Sequence, residues 1–318
     1  MTMTNEEMVA EIKRLQKERD AVIMAHYYVP AEVQEIADFI GDSFFLSKKG
    51  TELDCRTIIL AGVRFMAESC KVLNPEKTVL LPASDADCPM AHMATVEKIK
   101  EQRKLHPTDL AVVCYVNSTV EIKAESDVCV TSANAVKVVS RLKEHYIYFV
   151  PDQNLAHYVA KQCPDKEFIF NDGYCHVHHG VSVEDVKELK AFYPNAPVLV
   201  HPECREEVLA LCDHIGSTSG IINFVGTSDA KEFIIITECG VGHELTERYP
   251  DRTFHFLPME RGEKDTKGGY AMVCPNMKKV TLEKVYSSLK NNEEQIGLTD
   301  DLMARAAAPM EKMLDLSK

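Results

Sequence analysis

The stretch AVIMAHYYVPAEVQEIADFIGDS, residues 21–43, contains the pattern on which the fold depends. A short apolar run ends in the polar residue His26, a helix-like segment follows, and the hydroxyl of Ser43 comes 17 positions after His26. Similar apolar runs alternate with helix-like segments along the whole chain, which predicts an α/β fold with parallel strands covered on both faces. Strands are predicted over 22–25, 57–61, 78–81, 110–115, 146–150, 167–170, 197–200, 233–236 and 253–256.

The same spacing occurs three times. Ser132 follows Tyr115 by 17 positions, and Thr218 follows His201 by 17 positions. Each unit therefore pairs a polar strand end with a hydroxyl at a fixed distance, and a fixed period is the signature of internal repetition. The three polar strand ends are His26-Tyr27-Tyr28, Tyr115-Val116-Asn117 and His201-Pro202-Glu203.

Three of the 11 cysteines follow a second register. Each stands seven positions before a Ser or Thr that opens a helix-like segment, and such residues favour helix N-caps. The pairs are Cys88 with Thr95, Cys175 with Ser182, and Cys274 with Thr281.

These registers predict three repeated three-layer αβα units around a pseudo-threefold axis. We expect units over 1–92, 93–179 and 180–280, with C-terminal helices over 281–318 as a candidate completion of the first. Ligands bind beyond the carboxyl ends of parallel strands, so the polar strand ends and the cysteines are expected to meet in one central pocket. A polar insertion at 259–270 is either a cover over that pocket or a plain surface loop.

Composition limits the class of partner. The chain has 318 residues, 45% hydrophobic, with a formal net charge of −13. That balance argues against a nucleic-acid partner, which needs clustered Lys and Arg. No apolar run is long enough to cross a membrane and the N-terminus lacks a signal-peptide pattern, so we expect a cytoplasmic protein. An anionic small substrate is compatible with the charge, because helix N-termini and hydroxyls can hold it.

The three cysteines in register indicate a metal centre. No CxxC pair occurs, and disulfides are not expected in a reducing cytosol. A structural zinc site uses four ligands, whereas three thiolates leave a position open for catalysis. An iron-sulfur cluster with three cysteines keeps one iron free as a Lewis acid. Taken singly, each cysteine has the alternative interpretation of a small buried apolar residue, and zinc can replace a cluster on the same thiolates.

Histidines and one acid are the other candidates. His26 and His201 stand either in a functional pocket or as hydrogen-bonded core histidines, and their equivalence with Tyr115 favours the pocket. Glu203 is interpreted as a working carboxylate rather than a surface acid. In the cluster that follows Cys175, spacing favours His178 as the histidine nearest the metal.

These motifs resemble the successive signatures of the quinolinate synthase family across essentially the whole chain. The resemblance implies a three-domain α/β enzyme with a 4Fe-4S cluster that condenses iminosuccinate with dihydroxyacetone phosphate, giving quinolinate, phosphate and water for NAD synthesis. A functional link to the enzyme that supplies iminosuccinate is a further expectation. The motifs are HYYVPAEVQEIADFIGDS, CPMA, YVNS, TSANAV, PDQNLAHYVA, GYCHVH, VHPEC, GSTSG and CPNMKK.

The resemblance also assigns residues. It implies Cys88, Cys175 and Cys274 as cluster ligands. It implies a substrate site made of His26, Ser43, Tyr115, Val116, Asn117, Ser132, His201, Pro202, Glu203 and Thr218. Our hypothesis for proton transfer uses Glu203 and Tyr28, assisted by Tyr115 and His178.

Some family members carry a C-terminal CxxCxxC that is linked to redox control. Here Cys274 stands alone, and no such thiol switch is expected. Two rival functions are an iron-sulfur hydro-lyase acting on a small hydroxy acid and a non-enzymatic iron-sulfur sensor.

Overall fold

A computed structural model describes residues 3–257 and 271–318 and shows three four-stranded sheets, all parallel and flanked by helices. All three sheets have the same strand order, in which the first strand of the unit lies between the second and the third. The three-unit α/β prediction is therefore confirmed. The first sheet contains β1 (Ala21–His26), β2 (Phe39–Gly41), β3 (Thr57–Ala61) and β4 (Thr78–Leu80); the second contains β5 (Leu110–Tyr115), β6 (Val128–Val130), β7 (Tyr146–Val150) and β8 (Glu167–Phe170); the third contains β9 (Val198–Val200), β10 (His214–Ile215), β11 (Glu232–Ile236) and β12 (Thr253–His255).

All nine predicted strands are present, but the sequence pattern missed β2, β6 and β10. These strands have two or three residues, and each pairs with a single neighbour at the sheet edge. So short a run carries no periodic signal. Each missed strand leads directly into the turn that carries the repeated hydroxyl.

Helices cover both faces of the sheets, and three of them begin at the predicted N-caps. Thr95, Ser182 and Thr281 each accept a hydrogen bond from the backbone N–H three residues later, which confirms the caps. Short 3₁₀ turns lie between the cysteine and the N-cap in two of the units, at Pro89–His92 and at Met277–Lys279. The α-helices are α1 (Asn5–Arg19), α2 (Ala31–Ile36), α3 (Ser43–Glu52), α4 (Arg64–Leu73), α5 (Val96–Leu105), α6 (Val120–Ala124), α7 (Ala135–Val139), α8 (Gln153–Gln162), α9 (His176–His179), α10 (Val183–Phe192), α11 (Glu206–Leu209), α12 (Thr218–Thr227), α13 (Val241–Arg248), α14 (Leu282–Asn291) and α15 (Asp300–Leu316).

In each unit, an aspartate just before the edge strand is hydrogen-bonded to the first strand. Each carboxylate accepts a backbone N–H from the first strand, 15 positions earlier, at 2.7–2.8 Å. The bond lies at the first residue of β9 and two residues inside β1 and β5, and so away from the polar strand end. The pairs are Asp38 with Ile23, Asp127 with Val112, and Asp213 with Val198.

The two C-terminal helices pack on different parts of the molecule. Helix α14 contacts α1 and β3 of the first unit, whereas α15 contacts α4 of the first unit and α6, α7 and β6 of the second. The boundaries at 92/93 and 179/180 stay predictions. The 259–270 insertion falls outside the described residues. Among the helices that are described, none is both long and apolar enough to span a bilayer.

Candidate active site

One cavity lies where the carboxyl ends of the three sheets meet. The cavity has a volume of about 70 Å³, and its wall draws on all three units. Among the predicted residues, all of which are described, Val116 and Pro202 are buried but lie outside this wall. The predicted residues that line it are His26, Tyr28, Ser43, Cys88, Tyr115, Asn117, Ser132, Cys175, His178, His201, Glu203, Thr218 and Cys274.

The three cysteines in register are neighbours across the cavity. Burial raises the pKa of each thiol, that of Cys88 to about 12, and the nearby thiols add to the shift: Cys274 acts on Cys88, and Cys88 acts on Cys175. Hydrogen bonds from backbone N–H groups two or three residues after each cysteine lower the pKa of its thiol and so oppose the effect of burial. Each cysteine therefore lies at the start of a helical turn whose amides favour a thiolate.

His26 and His201 occupy equivalent positions and are held in the same way. In each, Nδ1 accepts a hydrogen bond from the backbone N–H two residues later, at 3.2 Å for His26 and 3.3 Å for His201. Burial lowers the pKa of both rings to about 3, so they are neutral at pH 7. Because Nδ1 is an acceptor in a neutral ring, the proton resides on Nε2. Both rings thus offer a neutral N–H donor, and in His201 this nitrogen lies 3.2 Å from the Ser132 hydroxyl.

Glu203 is the central acid of the site. It is only 3% exposed, and its two oxygens lie 2.7 Å from the Tyr115 hydroxyl and 2.7 Å from His178 Nδ1. Burial opposes its ionisation, but the imidazoles of His201 and His178 and the Tyr115 hydroxyl outweigh burial and lower the pKa of Glu203 to about 2. Burial and the Glu203 charge raise the pKa of Tyr115, which stays a phenol. At neutral pH an ionised carboxylate therefore faces a protonated phenol.

A chain of hydrogen bonds connects Glu203 with Tyr28. His178 Nε2 lies 2.9 Å from the Thr237 hydroxyl, which lies 2.8 Å from the Tyr28 hydroxyl. Tyr28 also contacts Thr218 at 2.6 Å. Burial raises the pKa of Tyr28, so it too stays protonated. The two candidates for proton transfer are thus joined through His178 and Thr237.

Two of the three repeated hydroxyls stand at helix openings without serving as the caps, whereas Ser132 lies in a turn three residues before α7 begins. Asp42 caps α3 and Ser217 caps α12, so Ser43 and Thr218 occupy the first helical positions. Their hydroxyls line the cavity, next to the first backbone N–H groups of each helix. That placement suits an anionic group on the ligand.

Several residues of the wall were not predicted from the sequence. Asp42 and Glu238 add two carboxylates to the described wall. Asn117, which was predicted, brings an amide oxygen that is buried without a hydrogen-bond partner in the described part of the chain. Asp42 could have been found from its place beside Ser43, but nothing in the sequence around Glu238 points to the pocket. The apolar part of the wall is formed by Phe44, Val63, Phe65, Met90, Val177 and Met277.

The donor set fits a metal centre. Cys175 Sγ, a nitrogen of His178 and a carboxylate oxygen of Glu203 lie within 4.8 Å of one another, and Cys88 and Cys274 line the same cavity. Three thiols that burial keeps protonated gain most from a cation that binds thiolates. Three cysteines from distant segments, with apolar side chains around them, match the ligand supply of an iron-sulfur cluster better than a closed four-ligand zinc site.

The fold and the cavity define a class: an α/β enzyme of three repeated units in which one cysteine from each unit lines a single cavity. The family model described as quinolinate synthetase A protein matches residues 10–315, and the chain belongs to this family. A quinolinate synthase of Fusobacterium nucleatum is 54% identical over 98% of this chain and 99% of its own length. A quinolinate synthase 2 of Methanosarcina acetivorans is 45% identical over 100% and 98%, and a quinolinate synthase of Aquifex aeolicus is 45% identical over 98% and 94%.

Proposed function

We propose that this chain is a quinolinate synthase that condenses iminosuccinate with dihydroxyacetone phosphate to quinolinate, phosphate and water in NAD biosynthesis. The observation that carries the proposal is the convergence of Cys88, Cys175 and Cys274 on one cavity that also contains Glu203 and two neutral histidines. Full-length similarity to relatives named quinolinate synthase supports the same activity.

Cys88, Cys175 and Cys274 would hold a 4Fe-4S cluster. Such a cluster supplies a Lewis-acidic iron with one coordination position left for substrate oxygen or nitrogen. The chain supplies the three thiolates, the backbone N–H groups that stabilise them and an apolar wall that excludes water. Reduced thiols fit the proposed cytoplasmic location.

Substrate binding would depend on neutral donors rather than on charged side chains. The described wall of the cavity includes no Lys or Arg, although both proposed substrates are anions. The Nε2–H groups of His26 and His201 and the hydroxyls of Ser43, Ser132 and Thr218 can donate to carboxylate and phosphate oxygens. The first backbone N–H groups of α3 and α12 add further donors, because the N-terminus of a helix carries a partial positive charge.

Proton transfer would involve the groups around Glu203. Its ionised carboxylate can accept a proton from a substrate carbon or hydroxyl, since it is the anionic base beside Tyr115 and His178. Tyr28 and Tyr115 stay protonated and can donate to a leaving hydroxyl. The hydrogen bonds through Thr237 give a route by which Tyr28 can recover its proton.

Anaerobic purification tests the proposal. Iron and sulfide analysis should give about four of each per chain, and Cys88→Ser, Cys175→Ser and Cys274→Ser should each lose most of both. Cys212→Ser is the matched control, because Cys212 lies outside the described wall of the cavity. The wild type is then supplied with iminosuccinate and dihydroxyacetone phosphate. Formation of quinolinate supports the proposal. Dehydration of a simple hydroxy acid without quinolinate would favour a hydro-lyase, and an intact cluster without any turnover would favour a sensor.

A further inference from the structure

The loops that carry the cysteines are attached to the third strand of each unit by one repeated backbone bond. The residue three positions beyond the end of that strand donates its N–H to the carbonyl two residues before the cysteine. The distances are 2.9 Å for Arg64 to Ala86, 2.8 Å for Gln153 to Gly173, and 2.9 Å for Cys239 to Met272. The strand registers agree, because Ala61, Val150 and Ile236 all pair with the residue before the polar strand end. The positions just before these donors are therefore equivalent in the three units.

At that equivalent position the units differ. The second unit has Asp152 and the third has Glu238, both fully buried, whereas the first has the apolar Val63. The Cys175 N–H donates to Asp152 Oδ2 at 3.1 Å, and the Cys274 N–H donates to Glu238 Oε1 at 3.0 Å. In the first unit the Cys88 N–H instead donates to Oδ1 of the preceding residue, the partly exposed Asp87, at 2.8 Å.

Each buried carboxylate is fixed on its other side. Asp152 Oδ1 caps α8 by accepting the Leu155 N–H at 2.6 Å. Glu238 accepts the Gly240 N–H at 2.7 Å and pairs with Lys278 at 2.9 Å. Space is tight here, since a Cβ on Gly240 would lie 2.7 Å from the Glu238 carboxylate. Both carboxylates therefore hold the main chain of a cysteine at a set place.

We propose that Asp152 and Glu238 are positioning residues that fix Cys175 and Cys274 as ligands of the metal centre. This inference rests on the proposed function, because it takes the cluster as the bound group. A group hydrogen-bonded behind a ligand orients it and affects how firmly the metal is held. Two of the three cysteines are thus held by buried acceptors, and the third by an acceptor near solvent.

The test compares Asp152→Asn and Glu238→Gln with Asp127→Asn. An amide has one acceptor oxygen, so Asp152→Asn can keep the helix cap but then turns its NH₂ toward the Cys175 N–H. Asp127 is the matched control, because it also accepts a backbone N–H but at the opposite end of the second sheet. Asp152→Ser is a second variant, which keeps the capping hydroxyl and lacks the second acceptor.

The readouts are iron and sulfide per chain after anaerobic reconstitution, the half-life of the visible cluster absorbance in air, and the reduction potential. We expect Asp152→Asn, Asp152→Ser and Glu238→Gln to shorten the half-life at least several-fold, and Asp127→Asn to match the wild type. Glu238→Gln should also shift the potential to more positive values, because it leaves the Lys278 charge uncompensated near the cluster.

Circular dichroism and thermal melting of the metal-free proteins report whether the variants fold. If the variants fold and keep the cluster half-life and the reduction potential of the wild type, the inference is overturned while the proposed function stays intact. A half-life shortened as much in Asp127→Asn as in the Asp152 and Glu238 variants overturns the inference as well, since it would show a general effect of weakening the sheet. A wild type that takes up no cluster refutes the proposed function itself, so the two failures are distinguishable.

Discussion

Burial of two neutral histidines makes the metal-free protein sensitive to mild acid, and His201→Gln should remove about half of this effect. The His201 ring has a pKa of about 3 when folded, against an ordinary value of 6.5. As the pH falls below 6.5, the unfolded chain binds a proton that the folded ring does not accept, so acid favours unfolding. Between pH 7 and about pH 4.5 this costs about 2 to 3 kcal/mol for each of His26 and His201.

The assay is urea unfolding of the reduced, metal-free protein at both pH values, followed by circular dichroism because the chain has no tryptophan. The measured quantity is the loss of unfolding free energy between the two pH values. This loss should be about 2 to 3 kcal/mol smaller in His201→Gln than in the wild type. The window ends near the ordinary pKa of 4.5 of a glutamate, so protonation of Glu203 in the unfolded chain contributes only about 0.4 kcal/mol to it.

His145→Gln serves as the control, because His145 is an exposed histidine of the second unit. It should show the same loss as the wild type. If His201→Gln also shows the full loss, the ring is not buried as a neutral group, and donation from its Nε2 is refuted.

Three further predictions concern catalysis and folding. Glu203→Gln should lower kcat by roughly 10²–10⁴ while the iron content stays unchanged, and near-normal turnover would remove Glu203 as the base. Thr237→Val should lower kcat because it breaks the link between Tyr28 and His178, and Thr237→Ser should restore it; equal activity of both variants would show that the link is not used. Ser182→Ala should lower the unfolding free energy by about 1 kcal/mol through loss of the α10 cap, as measured by urea unfolding, and an unchanged midpoint would contradict the capping-box geometry.

The site residues differ in how far the sequence could locate them. The 17-position and 7-position registers placed His26, Tyr115, His201 and the three cysteines at equivalent points, because a repeated unit preserves spacing whatever the surrounding residues. Strand ends and N-caps are local features, so alternating apolar runs and a Ser or Thr before a helix were enough to find them.

Contacts between segments far apart in the chain could not be found in this way. Thr237 and Glu238 look like ordinary residues after a strand, and their partners Tyr28 and Cys274 are 209 and 36 positions away in the chain. The edge strands were also missed, because pairing with a neighbouring strand defines them rather than their own two or three residues.

The sequence by itself determined that three α/β units repeat, which strand ends are polar and which three cysteines are equivalent. These properties are encoded in local pattern and spacing. Only the tertiary structure decided that the three strand ends share one cavity, that Glu203 is ionised beside a protonated Tyr115, and that buried carboxylates lie behind Cys175 and Cys274. Burial and hydrogen bonding set these protonation states and positions, and both arise only when segments far apart in the chain pack together.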